Sequence, residues 1–323
     1  MHEFTKDLGI DQTPHLLYTG VTKVDLTMRS AADSKSDPKG YLNAHSRVYI
    51  FGYDQTWLFC WDDTAGIYFI GRHNVDEITP IDPENTPAYG VIRNNFIACT
   101  AKDTALYTAP DLASDHIIEL PANTRLSFWM INNGWAIVPY RRLVGYLFLG
   151  DVSALEPVAP SVEYAKDGDI ISAFTTFYSM KTTELNIGRM ENIRVGCLYI
   201  SNTYDTGSVF NFNETAGPYR EARGYRPSPV LVGGETTAGY GGGTCQVSTT
   251  LYNAILQLGD GIKIIWRRPH GPSGASYAPH GVDAAVGAEN LNLIFENTFD
   301  FPITIDTSAQ NGSLCICIRK GTI

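Results

Sequence analysis

Residues 241–259 read GGGTCQVSTTLYNAILQLG, and they place one cysteine, Cys245, where a glycine loop runs into a helix. From Val247 the apolar residues Val247, Leu251, Ala254, Ile255 and Leu258 recur at helical spacing, and Gly259 tolerates a left-handed backbone past the end. The spacing predicts a helix from about Cys245 to Leu258 with Thr244 as its N-cap. Gly241, Gly242 and Gly243 let the chain turn tightly and let a ligand approach the backbone, while the first helical turn offers unpaired N–H groups at a positive dipole end. A cysteine in that position is expected to ionise readily, with main-chain donors from Thr244 to Gln246 beside the sulfur where an oxyanion would develop. On its own, a Gly-Gly-Gly-x-Cys run more often precedes a buried structural cysteine, so its surroundings decide.

Downstream, GIKIIWRRPH alternates Ile262, Ile264 and Trp266 as strand residues and delivers His270 at the strand end. A nucleophile at a helix N-terminus, a histidine on a later strand and a polar residue to orient it form the recurring arrangement of cysteine acyl transfer. His270 is the base in that reading, and a mere brace of the strand end in the plainer one. His280 is its rival, set in the Pro-Gly loop SYAPHGVD. Asp283 follows that loop and precedes the apolar segment AAV, which suits either an orienting carboxylate or a turn residue. Gln246, Ser248 and Tyr277 are polar residues placed to contact a substrate, or equally to brace the loop, and Gly243 and Thr244 line the approach to the thiol.

Three blocks in order, FNETAGPYREARGYRPSPVLVGG, GGGTCQVSTTLYNA and RRPHGPSGASYAPHGVDAAV, resemble the VanW domain over about residues 170 to 308. That domain is named from glycopeptide-resistance clusters and occurs in cell-surface proteins of Gram-positive bacteria. The resemblance implies a peptidoglycan L,D-transpeptidase with Cys245 as nucleophile. It places His270 where the family carries a histidine after Arg and Asn or Pro, His280 where the family varies, and Asp283 in the family's Asp-Ala-Thr-Val. Arg223, in EARGY, matches a family position and is a candidate for binding a substrate carboxylate through its planar fork, or a loop brace. Val282 stands where arginine is frequent and Ala285 where threonine is usual, departures that touch substrate contacts more than chemistry. The implied partners are stem peptides: a donor tetrapeptide that loses D-alanine to the thiol, and an acceptor amine that resolves the thioester into a cross-link between third-position residues. Two alternatives stand beside it. One is a cysteine peptidase that lets water resolve the acyl-enzyme; the other is a non-catalytic peptidoglycan-binding accessory protein in which Cys245 lies buried far from His270.

Composition sets limits on the rest. The chain has 323 residues, 44% of them hydrophobic, enough for two or three globular units. Its formal net charge of −10 argues against nucleic acid and against a polybasic membrane contact. No apolar run approaches the roughly 20 residues that span a bilayer, and no N-terminal signal pattern is visible. An exported protein of the cell wall or membrane-anchored outer surface, as the resemblance implies, would have its signal or anchor outside these residues. The cysteines Cys60, Cys99, Cys197, Cys245, Cys315 and Cys317 form no C-x-x-C pair, and free thiols are expected, with one or two bridges still open. No His/Cys/Asp grouping has metal-ligand spacing, so no metal or organic cofactor is expected, and the chain is read as a monomer.

Sliding the chain against itself by 78 positions aligns Met28 with Leu106, Ala31 with Ala109, Leu42 with Leu120, Val48 with Leu126, Trp57 with Trp135 and Tyr68 with Tyr146. Each copy is a series of short strands broken by Asp, Asn, Gly and Pro turns, the pattern of a small antiparallel barrel. VTKVDLTMRSAAD, DQTWLFCWDDTAGIYF and NNGWAIVPYRRLVGYLF resemble the bacterial Src-homology-three domain, which implies wall targeting or, more plainly, spacing, with Trp57 and Trp135 in the cores. The expected organisation is multidomain: a lead-in (1–19), two all-β barrels (20–77 and 94–154), a linker with Pro157 and Pro160 (155–169) and an α+β catalytic domain (170–323). That last domain should carry a mainly antiparallel sheet, a helix within about 185–202, the cysteine at a helix N-terminus, and three closing strands with a turn at Asn311-Gly312.

Overall fold

A computed structural model of the protein describes residues 16, 18–53, 56–81, 93–141, 143–232, 235–270, 275–278 and 282–322. The chain is mostly β-sheet with few helices. The first copy of the repeat contributes β1 (Tyr18–Thr22), β2 (Leu26–Arg29), β3 (Pro38–Leu42), β4 (Arg47–Tyr53), β5 (Trp57–Asp62), β6 (Gly66–Gly71) and β7 (Val75–Pro80). The second contributes β8 (Phe96–Thr100), β9 (Thr104–Tyr107), β10 (His116–Leu120), β11 (Arg125–Phe128), β12 (Met130–Asn132), β13 (Trp135–Tyr140), β14 (Leu143–Phe148) and β15 (Val152–Pro157). The repetition extends to single hydrogen bonds. Asp25 Oδ1 accepts from the Ala44 N–H and Asp103 Oδ1 from the Ala122 N–H, both at 2.8 Å, and the Ser36 and Ser114 hydroxyls donate to the Asp33 and Asp111 carbonyls, both at 2.8 Å.

Neither copy closes into a barrel among the described residues. The first is one open sheet in the order β3-β2-β6-β5-β4-β1-β7, and the second is two sheets, β10-β9-β14-β13-β12 and β11-β8-β15. The copies differ from each other at one strand. In the first copy β4 pairs with β1 through its early residues and with β5 through its later ones, bending where the register shifts between Ile50 and Gly52. In the second copy the same strand breaks at Trp129, leaving β11 on β8 and β12 on β13. The outer strands β3 and β7 carry Lys39, Asp76, Glu77 and flanking prolines, residues that blunt a sheet edge rather than offer it for pairing. Trp135 is buried, whereas Trp57 is only half-buried, and the large side chain joining the two copies is Trp129, whose ring centroid lies 4.8 Å from that of Phe59.

The stretch expected to be linker is partly structural: residues 155–157 end β15, with Pro157 opposite Phe96, and Val158 and Ala165 are buried. The apolar residues Leu155, Val158 and Ala165 draw it onto the body. Beyond it come β16 (Ile170–Phe177), α1 (Glu184–Ile200), β17 (Thr203–Tyr204), β18 (Val209–Asn211), α2 (Phe212–Ala216), β19 (Pro227–Val232), β20 (Glu235–Tyr240), α3 (Thr244–Ile255), β21 (Ile262–Arg267), β22 (Leu293–Asn297), β23 (Ile303–Gln310) and β24 (Ser313–Lys320). This α+β region has the sheets β16-β24-β23-β17 and β18-β22-β21 and the hairpin β19-β20. Asn311 and Gly312 turn β23 into β24 with φ of 56° and 77°, as a two-residue hairpin loop requires.

The central strand β16 is buried along its whole length. On one side α3 packs on it: Gln246 Nε2 donates to the Phe177 carbonyl at 3.1 Å and Gln257 Nε2 to that of Ala173 at 2.8 Å. The second β-copy also docks there, the Ser127 N–H donating to Thr175 Oγ1 at 2.7 Å, while Arg125 pairs with Asp306 on β23 at 3.0 Å. Helix α1 approaches closely through glycine: a Cβ on Gly188 would sit 2.0 Å from the Pro227 carbonyl oxygen, so no larger residue fits.

Candidate active site

Cys245 is the second residue of α3 and half-buried. The helix starts one residue earlier than its spacing suggests. Gly243, at φ 107°, is the cap, and Thr244 is helical, its hydroxyl donating to the Gly241 carbonyl at 2.7 Å instead of capping. The reason is room: a Cβ at Gly243 would lie 2.9 Å from Ile193 and 3.0 Å from the Arg189 carbonyl oxygen, so only glycine lets the loop pass under α1. Gly243 is therefore a packing residue as much as a lining one. The tight turn also uses up donors. The Thr244 N–H reaches Gly241 O at 3.1 Å and the Gln246 N–H reaches Gly243 O at 2.9 Å, whereas the Cys245 N–H has no partner among the described residues. Of the three main-chain donors expected around the thiol, the one on the cysteine itself is left unengaged among the described residues.

Helix α3 and the segment 282–287 fit by matched periods. Residues four apart on a helix lie about 6 Å apart, and residues two apart on an extended chain lie about 6.6 Å apart. Cys245, Thr249 and Asn253 thus form a ridge that meets Val286, Ala284 and Val282 in turn. Cys245 Sγ lies 3.4 Å from the Val286 carbonyl and 3.5 Å from its N–H; the Ala284 N–H donates to Thr249 Oγ1 at 3.0 Å; Asn253 Nδ2 donates to the Val282 carbonyl at 2.7 Å. The intervening Asp283 and Ala285 face the other way, where the Ala285 N–H donates to the Arg268 carbonyl at 2.8 Å.

That alternation carries Asp283 to His270. Asp283 Oδ2 accepts from the His270 N–H at 2.8 Å and lies 2.5 Å from its Nδ1, and Arg267 Nη2 stands 3.6 Å from Oδ1. Arg267 also donates through Nε to the Asp283 carbonyl at 2.7 Å and lies over the Tyr252 ring at 5.0 Å. Asp283 is 1% exposed, so its charge is sustained by these partners alone. Burial pushes its carboxyl up, but the hydrogen bonds from His270 outweigh it and hold the group below the ordinary carboxylate value. Burial likewise pulls His270 down, and the bonds to Asp283 and to the Cys245 thiol outweigh that, raising it to about 9. His270 thus hydrogen-bonds Asp283 directly and has Cys245 as a neighbour that adds to the rise. It sits three residues beyond β21 rather than at its last position, and Trp266, after a register shift in the strand, is 41% exposed.

The other sequence candidates divide. Tyr277 belongs to the site: its ring meets that of His270 edge-on at 6.3 Å, and its hydroxyl is buried without a close partner among the described residues. Burial, followed by the nearby Cys245, raises the Tyr277 phenol above its ordinary value. Gln246 is turned away, buried, with its amide spent on Thr176, Phe177 and Arg189. Ser248 is fully buried on α3 and Thr244 nearly so, which removes both from substrate contact. Arg223 braces its own loop, donating to the Thr215 carbonyl at 3.1 Å and lying 4.0 Å over the Tyr199 ring. A short turn ending at Gly224 sets it there. His280 lies outside the described residues.

Sequence reading missed Val286, Thr249, Asn253, Arg267 and Arg189. The first three were readable as the steps Cys-x-x-x-Thr-x-x-x-Asn and Val-x-Ala-x-Val, and Arg267 as the strand residue next to the histidine. Arg189 gave no local signal, because it reaches the loop from α1. The six cysteines are unbridged; Cys315 and Cys317 are buried with sulfurs 3.9 Å apart. Among the described residues no three His, Cys, Asp or Glu side chains come together as a metal site, and no helix is long and apolar enough to cross a membrane.

Residues 188–319 match the family model described as VanW like protein, so this region is a VanW-like domain. Uncharacterized protein YoaR of Bacillus subtilis (strain 168) is 35% identical over 139 residues, 43% of this chain and 45% of that protein, so the chain spans less than half of that relative's length. Among solved structures, NlpC1 from Trichomonas vaginalis is 10% identical over 94% of both chains, with a TM-score of 0.20. An NLPC/P60 family protein from Bacillus cereus is 13% identical over 92% of this chain and 93% of that one, with a TM-score of 0.17. At such TM-scores neither likeness bears on fold or function.

Proposed function

With residues 188–319 forming a VanW-like domain, we propose that the protein is a cell-wall enzyme that performs acyl transfer on peptidoglycan stem peptides, as an L,D-transpeptidase. The observation that carries this reading is an imidazole, His270, gripped by the buried Asp283 and neighboured by Cys245, a thiol half-open to solvent. A purely structural cysteine needs no imidazole held by a buried carboxylate. The resemblance in the VanW-like region supports a cell-wall-related protein and, with it, the choice of substrate.

In the proposed cycle His270 holds its proton beside the sulfur, so Cys245 reacts as a thiolate next to an imidazolium. The sulfur adds to the carbonyl of the third residue of a donor tetrapeptide, and the Cys245 N–H receives the oxyanion. The carbon–nitrogen bond breaks as His270 passes its proton to the leaving amine, and D-alanine departs. The side-chain amine of an acceptor stem then attacks the thioester and gives its proton back to His270. A new amide forms and the thiolate is restored. Asp283 keeps the imidazole in one tautomer and orientation throughout. Arg267 and Asn253 position it from behind, through Asp283 and the segment that carries it.

The two β-copies serve in this proposal as the wall-directed part, given their resemblance to bacterial Src-homology-three domains, on an outer surface of a Gram-positive cell. Purified tetrapeptide donor and an amine acceptor, analysed by mass spectrometry, test the proposal. A dimer joined between third-position residues supports it. Release of tripeptide with no dimer would make the protein a cysteine peptidase that uses the same residues.

A further inference from the structure

Arg189 reaches the cysteine loop from α1. Its Cγ lies 3.2 Å from where a Gly243 Cβ would stand, and its Nη2 donates to Gln246 Oε1 at 2.6 Å, so the side chain runs along the turn from Gly243 to Gln246 that carries Cys245. It is half-buried, and among the described residues no Asp or Glu pairs with it. Burial lowers its proton affinity, and Tyr277, Cys245 and Tyr178 are the groups that offset this. A guanidinium kept partly out of water beside a nucleophile, with one neutral amide as its partner, has donors to spare for a planar anion. Arg223, the sequence candidate for that role, is occupied elsewhere.

We propose that Arg189 is the specificity residue that binds the free carboxylate of the amino acid leaving the donor, confining the enzyme to donors that end one residue beyond the attacked carbonyl. This rests on the acyl-transfer reading of Cys245. One residue spans about 3.6 Å of chain, so a carboxylate seated beside the first turn of α3 belongs to the residue joined to the attacked carbonyl, and a longer peptide would place an amide there instead.

The test compares two donors on the full chain, a stem tetrapeptide with a free C-terminal carboxylate and its C-terminal amide, and reads acylation of Cys245 by intact mass. The wild type should favour the acid. Arg189→Met should reduce the acid-over-amide ratio by about ten- to hundredfold, the size of a charge-assisted pair, and Arg189→Lys should restore part of it. A folding defect lowers both donors together and leaves the ratio standing, so an unchanged ratio in Arg189→Met overturns the proposal. Equal acylation of the wild type by acid and amide overturns it too, while leaving the acyl-transfer reading intact. Failure of both donors to acylate the wild type overturns both.

Discussion

Cys245 Sγ lies 3.4 Å from the carbonyl of Val286, three residues after the Asp283 that grips His270. One six-residue segment therefore sets both the nucleophile and the imidazole, and α3 holds that segment by its Thr249 and Asn253 rungs. Disturbing a rung should disturb the chemistry without touching any reacting atom.

Asn253→Ala removes two buried hydrogen bonds, to the carbonyls of Val282 and Thr249. It should cost about 2 kcal/mol in denaturant unfolding. Donor acylation should fall with it even where the variant is fully folded, since Asp283 is one residue from the lost rung.

Asp283→Ala leaves Arg267 facing an empty buried site and should destabilise the protein by about 3 kcal/mol, the usual consequence of breaking a buried pair. Asp283→Asn keeps the shape. It should lower acylation and move the alkaline limb of the rate profile to lower pH, because His270 loses the charge that helps raise it. An unmoved limb would mean that another group sets it.

The wild-type profile has a defined sign. His270 binds its proton up to about 9 in the folded protein against 6.5 when free, so the imidazolium is intact at neutral pH and kcat/KM should fall as pH rises through about 9. The same shift stabilises the fold. Its contribution is fully present below 6.5 and is lost as pH rises toward 9, a slope that His270→Gln should lack in melting experiments.

Thiol accessibility should follow burial. Cys60, Cys197, Cys315 and Cys317 are buried, and burial raises the Cys197 thiol to about 12. An alkylating reagent at neutral pH should therefore modify Cys245 first, with Cys99, the other half-buried thiol, well behind. Mapping the adducts by peptide mass gives the order directly.

What the sequence yields and what it withholds follow from the range of the forces involved. Cys245, His270 and Asp283 are legible because each sits at the end of a locally periodic element, and the strands of the repeat because Asp25 and Asp103, or Ser36 and Ser114, make the same short-range turn bonds. The cap at Gly243 is not legible, since it is dictated by Ile193 and Arg189 from a distant helix. The bend at Ile50–Gly52 in one copy and the break at Trp129 in the other are not legible either, since the two copies share the same strand pattern there. Gln246 looks like a substrate ligand in the sequence because its neighbour is the nucleophile, yet helical rotation sends it to β16.

The central claim, that Cys245 carries an acyl group from a stem peptide to an amine, is tested most directly by intact-protein mass spectrometry after brief mixing with a purified tetrapeptide donor. The account predicts a mass increase equal to the donor minus D-alanine. That increase should map to Cys245, be absent in Cys245→Ala, and disappear on adding acceptor amine as the dimer forms. A dimer produced by Cys245→Ala, or a wild type that never gains mass and never consumes donor, would contradict it.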